Sequence, residues 1–144
     1  MILYLVRHGE TVDNKFGLIQ GQRDVELSDK GRVDAAKLKD LVRSLDIDVV
    51  ISSPLSRAVE TAKIITDGKY PINTDDRITE RNWGMIEGVK FDTVDSYKNW
   101  NFNINTNDNY IEPLRVRPKS WIMEAIPFIR DSLKHIAILD LPLT

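Results

Sequence analysis

Some residue types are scarce or absent in this chain of 144 residues, and each absence removes a class of function. The sequence has no cysteine, which excludes disulfides, thiolate nucleophiles and thiolate metal sites. It has only two histidines, His8 and His135, too few for a histidine-rich metal centre. The sequence therefore excludes thiolate and histidine-rich metal centres.

Excess charge of one sign and long apolar runs are also missing. The net charge of −2 lacks the basic excess that nucleic-acid-binding proteins usually show. No apolar stretch is long enough to span a bilayer, and Arg7 interrupts the first apolar run too early for a secretory signal. With 42% apolar residues, the chain can still build a core. We expect residues 1–144 to form one soluble, cytoplasmic domain that binds neither nucleic acid nor a membrane.

The most informative stretch is the beginning of the chain, where the apolar run Ile2–Val6 leads directly into Arg7, His8 and Gly9. Such a run is typical of a buried strand. Open α/β sheets bind their ligands at the carboxyl ends of the strands. Arginine offers a planar set of donors suited to phosphate, and glycine lets a ligand approach the backbone closely. The alternative interpretation of this tripeptide is a strand that simply enters a polar turn.

The remaining pattern alternates strands with helices, which favours a mainly parallel central sheet covered by helices on both faces, a three-layer α/β sandwich. We expect residues 12–24 to form a polar loop, residues 92–100 a short helix, and the asparagine-rich residues 99–110 an irregular insert or lid. The predicted strands are Ile2–Val6, Val49–Ile51, Tyr70–Thr74 and Ile136–Leu139, and Pro71 favours either the start of the third strand or a sheet edge for it. The predicted helices are Ser28–Ser44, one that follows Pro54, and Ser120–Leu133 with a kink at Pro127.

Arg57 falls in the first turn of the helix that follows Pro54. A cation there opposes the helix dipole, so its presence needs a reason. A bound anion would supply one. The alternative is an arginine side chain that extends into solvent.

Arg7, His8, Asn14, Arg57 and Glu80 all fall at or just beyond predicted strand ends. Two arginines can neutralise a phosphate dianion, and a neutral imidazole between them can attack phosphorus. A carboxylic acid can protonate the departing oxygen and then activate water against the phosphoenzyme. Such a pocket can transfer a phosphoryl group by positioning and charge stabilisation alone.

Longer motifs surround these residues: Leu5–Thr11 with Asn14, Gly21-Gln22 with Leu27–Arg32, Ser52–Ala62, and Glu80 with Trp83-Gly84 and Glu87-Gly88. In this order and spacing, over about the first 90 residues, the chain resembles the histidine phosphatase superfamily, also called phosphoglycerate mutase-like. The resemblance implies a metal-independent phosphatase without a cofactor. It implies His8 as the phosphorylated nucleophile and Glu80 as the acid/base, with Arg7, Asn14 and Arg57 binding the phosphoryl group and Gln20, Gly21 and Gln22 contacting substrate.

The end of the chain departs from that family, whose late strand normally finishes in a second histidine followed by glycine. Here Leu139 is followed by Asp140, with Leu141 and Pro142 at the positions of the histidine and the glycine. We expect His135 to lie before this strand, on the surface at the opposite end of the sheet, and not to replace the missing histidine. The C-terminal part is therefore expected to be incomplete relative to the family, and a shift or cut of the coding sequence near Leu139 is one explanation.

Three functions stay open at this stage. The first is a phosphatase that hydrolyses small phosphomonoesters through a phosphohistidine, with activity impaired by the missing second histidine. The second is a module that binds a phosphorylated ligand without catalysis, and the third is a phosphoglycerate mutase. The expected partner is a small phosphorylated metabolite. The sequence leaves the oligomeric state undetermined, although apolar surface left by a missing final helix would favour a homodimer.

Overall fold

The computed structural model describes residues 2–93 and 134–139, and all structural statements below refer to them. Short 3₁₀ turns at Asp76–Ile78, Gly84–Ile86 and Phe91–Thr93 interrupt the loop that follows the third strand. The described strands are β1 (Ile2–Arg7), β2 (Val49–Ser52), β3 (Ile72–Thr74) and β4 (Lys134–Leu139). The described helices are α1 (Val12–Phe16), α2 (Asp29–Ala36), α3 (Lys39–Ser44) and α4 (Ser56–Ile65).

The four described strands form one parallel sheet in the order β1-β4-β2-β3. Because β4 lies between β1 and β2, it sets the register of both: Arg7 pairs with Leu139, and Ser52 pairs with Ile138. The carboxyl ends of β1 and β2 therefore meet at one edge of the sheet, where parallel α/β sheets bind ligands. The predicted parallel α/β arrangement is confirmed, and β3 lies at an edge of the described sheet as Pro71 indicated.

Helix α4 contacts β2, β3 and β4 as well as α2 and α3, so it is the helix around which the described core forms. Its residues Ala58, Ala62 and Ile65 repeat at helical spacing and are buried in one apolar cluster with Val50 of β2 and Ile138 of β4. This apolar stripe holds the helix on the sheet by removing apolar surface from water. Consequently the first turn of α4 is fixed beside the carboxyl end of β2.

One loop prediction and one helix prediction were wrong in detail. Residues 12–24 are not a continuous loop, because Thr11 caps the short helix α1: its hydroxyl accepts from the Asn14 amide while the Asn14 side chain accepts from the Thr11 amide. The single helix predicted over Ser28–Ser44 is divided into α2 and α3. The division occurs where Lys37 and Leu38 bond to carbonyls three residues earlier, which tightens the turn.

The prediction that His135 precedes the last strand was also wrong, because β4 begins at Lys134. His135 pairs with Leu3 and Val49, so its backbone lies near the amino ends of β1 and β2. At about 3.3 Å per residue, this position is roughly 13 Å along the sheet from Arg7. The expected remoteness of His135 from the strand ends therefore holds for its backbone.

The helix predicted at Ser120–Leu133 and the asparagine-rich insert lie outside the described residues, and so does most of the helix predicted at residues 92–100. The same is true of the predicted positions of the missing histidine and glycine, Leu141 and Pro142. Among the helices that are described, none combines the length and the apolar character needed to cross a membrane.

Candidate active site

His8 follows β1 directly and is buried, with 6% of its surface exposed. Its neighbour Gly9 is held by helix α4, because the Gly9 amide donates to Thr61 Oγ1 at 3.0 Å. The Thr61 hydroxyl in turn donates to the carbonyl of Arg57 one turn earlier. One helix therefore positions both the loop that carries the imidazole and a site arginine.

The hydrogen bond of His8 Nδ1 to the Gly9 carbonyl, at 2.7 Å, decides the tautomer of the ring. A carbonyl can only accept, so Nδ1 carries the proton of the neutral ring and Nε2 keeps its lone pair. The pKa of His8 is lowered to about 4, chiefly by burial and also by the nearby guanidinium groups of Arg57 and Arg7, against the opposing effect of the Gly9 bond. At neutral pH the imidazole is therefore uncharged and nucleophilic at Nε2.

Arg57 lies in the first turn of α4 and is fully buried, so the interpretation that it simply reaches solvent was wrong. Its Nη1 donates to the Arg23 carbonyl at 2.7 Å, and its Nη2 donates to the Gly21 carbonyl at 2.6 Å. Nη2 also lies 3.5 Å from Glu80 Oε2. The Glu80 carboxylate and the two carbonyls offset the unfavourable interaction between the buried Arg57 guanidinium and the helix dipole.

Glu80 is 5% exposed and follows the 3₁₀ turn Asp76–Ile78. Its Oε1 accepts from the indole Nε1 of Trp83 at 3.0 Å, while Oε2 faces Arg57. The structure thus brings three of the predicted site residues, His8, Arg57 and Glu80, together at the carboxyl edge of the sheet. A neutral imidazole, a buried guanidinium and a buried carboxyl group are the components that phosphoryl transfer through histidine requires.

Arg7 and Asn14 are placed differently from each other. Arg7 ends β1 with an exposed side chain, close enough to depress the pKa of His8. Asn14 uses its Oδ1 to cap α1, while its Nδ2 is buried without a hydrogen-bond partner among the described residues. A buried amide donor of this kind is costly unless a ligand or a water completes it.

The predicted substrate contacts Gln20, Gly21 and Gln22 are engaged with protein groups. Gln20 is buried, and its Oε1 accepts from Thr11 Oγ1 at 2.6 Å. The carbonyl of Gly21 accepts from Arg57, and Gln22 Nε2 donates to the Glu80 carbonyl at 3.1 Å. This loop therefore supports the site arginine and the acid/base candidate, and its contact with substrate stays a prediction.

Comparison with known protein families matches the sequence of this chain to one family. The family model described as Histidine phosphatase superfamily (branch 1) matches residues 3–124. The chain belongs to the histidine phosphatase superfamily. This confirms the resemblance that the motifs indicated.

Relatives of this histidine phosphatase superfamily chain bear both phosphatase and mutase names. It is 43% identical over 93 residues to the probable phosphoglycerate mutase GpmB of Erwinia tasmaniensis, an alignment that covers 64% of the chain and 43% of that protein. It is 37% identical over 116 residues to a probable phosphatase of Schizosaccharomyces pombe, covering 79% of the chain and 54% of that protein. The chain thus spans about half the length of the curated relatives it matches.

The fold agrees with a solved structure of the same kind. Phosphoserine phosphatase from Entamoeba histolytica, in complex with 3-phosphoglyceric acid, superimposes with a TM-score of 0.72 at 25% identity, covering 96% of this chain and 73% of that one. This superposition confirms the phosphoglycerate mutase-like α/β fold.

Sequence reasoning assigned no individual role to several residues that shape the site. Thr61 accepts a hydrogen bond from the Gly9 amide. Asp24 Oδ1 accepts from the hydroxyl and the amide of Ser56, and these bonds lower the pKa of Asp24. They also place a carboxylate at the start of α4, where it suits the helix dipole. Glu87 Oε1 accepts from the amides of Gln22 and Trp83, both at 2.9 Å, and thereby joins two loops. Thr61 lies four residues after Arg57, so helical spacing could have indicated it, whereas the Asp24 and Glu87 contacts depend on loop folding.

Proposed function

We propose that this chain hydrolyses small phosphomonoesters through a phosphohistidine formed at His8 Nε2. The observation that carries the proposal is the 2.7 Å bond from His8 Nδ1 to the Gly9 carbonyl, because it leaves the lone pair on Nε2. The depressed pKa of His8 keeps the ring neutral at pH 7. Two guanidinium groups beside it suit a dianionic phosphoryl group.

In the first step, Nε2 attacks phosphorus, the bond from phosphorus to the ester oxygen breaks, and protonated Glu80 gives its proton to the leaving oxygen. In the second step, water attacks the phosphohistidine, ionised Glu80 accepts the proton of that water, and the bond from phosphorus to nitrogen breaks. Arg57, Arg7 and Asn14 bind the phosphoryl oxygens throughout. Proton transfer by a positioned acid contributes about a hundred- to ten-thousand-fold.

The substrate class rests on the chemistry of the pocket and on the relatives. A neutral imidazole with two arginines recognises a phosphate group, and the solved relative from Entamoeba histolytica binds 3-phosphoglyceric acid. We therefore propose a small phosphorylated metabolite as the substrate. The single-domain organisation, the cytoplasmic location and the oligomeric state stay predictions.

The test is hydrolysis of 4-nitrophenyl phosphate without added metal by the chain, by His8→Asn and by His135→Asn. His8→Asn keeps an amide donor for the Gly9 carbonyl but has no nucleophilic nitrogen, so turnover should fall to the background rate. His135→Asn is the matched control, because His135 pairs with Leu3 at the opposite end of the strand. A folded chain with no turnover, or equal turnover in both variants, would contradict the proposal.

The second candidate is a module that binds a phosphorylated ligand without turnover. It is favoured by Leu141 and Pro142, which stand where the family has a second histidine and a glycine. Loss of that histidine removes a charge-assisted bond of about 1.5–3 kcal/mol to the phosphoryl group. Phosphate binding without any phosphohistidine would support this candidate. The mutase alternative predicts conversion of 3-phosphoglycerate to 2-phosphoglycerate with no net release of phosphate.

A further inference from the structure

The two oxygens of the Glu80 carboxylate have different neighbours. Oε1 accepts from Trp83 Nε1 at 3.0 Å, and Oε2 lies 3.5 Å from Arg57 Nη2. Each carboxylate oxygen therefore faces one group, the indole of Trp83 at Oε1 and the guanidinium of Arg57 in α4 at Oε2. Trp83 has no part in the chemistry proposed above, so its contact needs a separate explanation.

The indole of Trp83 is itself fixed by its surroundings. The backbone amide of Trp83 donates to Glu87 Oε1, which also accepts from the Gln22 backbone amide. The guanidinium of Arg81 lies 3.2 Å from the ring centroid, a cation–π contact. A Cβ on Gly21 would lie 2.9 Å from Trp83 Cδ1, so a glycine there lets the indole pack against the backbone. A donor held in this way can orient a carboxylate at little entropic cost.

The donor also decides which oxygen carries the proton. An indole N–H can only donate, so Oε1 must remain an acceptor in every protonation state of Glu80. In a carboxylic acid the carbonyl oxygen is the better acceptor, and the hydroxyl oxygen is the donor. The guanidinium of Arg57 is also a donor, but its Nη2 lies 3.5 Å from Oε2, a longer contact than the 3.0 Å indole bond to Oε1. Protonated Glu80 therefore keeps Oε1 as the carbonyl and carries its proton on Oε2.

We infer that Trp83 is a positioning residue that assigns the transferable proton of Glu80 to Oε2. This inference rests on the proposed function. In the phosphorylation step the O–H bond at Oε2 breaks and the proton goes to the ester oxygen as its bond to phosphorus breaks. In the hydrolysis step water returns a proton to the same oxygen as its own oxygen bonds to phosphorus and the bond from phosphorus to His8 Nε2 breaks. The indole donor stays on Oε1 in both steps.

The test compares two leaving groups in wild type and Trp83→Phe. The alkoxide of glycerol phosphate leaves only with a proton, whereas 4-nitrophenolate leaves without one. Only the hydrolysis of glycerol phosphate therefore depends on the position of the proton on Glu80 Oε2. Trp83→Phe should lower kcat/KM for glycerol phosphate about threefold to tenfold, the effect of one lost hydrogen bond, and change 4-nitrophenyl phosphate less than twofold. Equal losses on both substrates would indicate a merely structural role and overturn the inference.

A closer replacement protects the test against misfolding. Benzothienylalanine at position 83 keeps the bicyclic shape of the indole but replaces its N–H by sulfur. It should reproduce the substrate-selective loss of Trp83→Phe. Met85→Leu, in the same loop with an almost fully exposed side chain, is the control that should leave both substrates unchanged.

A spectroscopic measurement separates this inference from the proposed function. The indole ¹H–¹⁵N resonance of Trp83 should move with pH as its acceptor Glu80 is protonated, and Glu80→Gln should keep the fold but abolish that movement. A resonance that is equally pH-dependent in Glu80→Gln overturns the inference. If the resonance titrates as expected while His8→Asn and wild type are equally inactive, the positioning contact is supported and the proposed function has failed.

Discussion

At the scale of single residues, the site depends on charged and titratable groups that have been removed from water. Arg57 is fully buried and Glu80 nearly so, and such a pair persists only when its remaining donors and acceptors are satisfied. The carbonyls of Gly21 and Arg23 and the indole of Trp83 do so here. The sequence placed Arg57 in conflict with the helix dipole, and the structure shows the buried carbonyls and carboxylate that offset this conflict.

The depressed pKa of His8 makes a prediction about stability. In the unfolded chain the imidazole titrates near its ordinary value of 6.5, and in the folded chain at about 4. Between these values the unfolded chain binds more protons, so stability falls as pH is lowered through this window. The loss is about 3 kcal/mol in total, since one pKa unit corresponds to about 1.4 kcal/mol.

Chemical denaturation of wild type and His8→Asn at several pH values measures this effect. Asparagine does not titrate, so the difference between the two free energies of unfolding isolates His8 from the carboxylates that both proteins share. That difference should change by about 3 kcal/mol between pH 7 and pH 3.5, with wild type the more destabilised at low pH. A difference that is constant across this range would contradict the assigned burial of the ring.

At the scale of elements, the loop after β1 is set by close packing against α2. Gly31 lies in the first turn of α2, and Ser28 caps that helix. A Cβ on Gly31 would lie 2.0 Å from the Glu10 carbonyl oxygen, and a Cβ on Gly9 would lie 2.9 Å from the Gly31 carbonyl oxygen. Glycine normally weakens a helix, so its presence in this turn needs a reason. Its reason is tertiary, because it lets the segment that follows His8 lie against the helix.

Gly31→Ala should therefore destabilise the protein, although alanine is normally the better helix former. The clash is with backbone, which cannot move aside as a flexible side chain can, and overpacking of this kind costs about 1–3 kcal/mol. Gly68→Ala is the matched control, since Gly68 has a φ of +67° but open space around its Cβ position. The control should cost only the strain of its backbone, about 1–2 kcal/mol.

Thermal denaturation and 4-nitrophenyl phosphate turnover compare the two variants. Gly31→Ala should lose turnover as well as stability, because the displaced Glu10 backbone is continuous with His8. Gly68→Ala should keep its turnover, because Gly68 lies beyond the far end of α4 from Arg57. If Gly31→Ala were more stable than wild type, the close approach of α2 would be refuted.

At the scale of the whole molecule, the sequence predicted the parallel sheet and the central residues of its strands, because short apolar runs such as Val49–Ile51 are typical of buried parallel strands. It predicted His8, Arg57 and Glu80 as a group, because the carboxyl ends of parallel strands share one edge. It missed α1, whose capping box uses Asn14 in place of the usual Glu or Gln. It also placed His135 before β4, since a pattern read residue by residue gives strand ends poorly.

The central claim is that His8 Nε2 accepts a phosphoryl group, and Glu80→Gln tests it most directly. This variant cannot activate water, yet 4-nitrophenolate needs no acid to leave, so the phosphoenzyme should accumulate. After incubation with ³²P-labelled 4-nitrophenyl phosphate and rapid denaturation, Glu80→Gln should carry an acid-labile, alkali-stable label. The double variant with His8→Asn should carry none. Folded Glu80→Gln without label, or label that persists when His8 is replaced, would contradict the account.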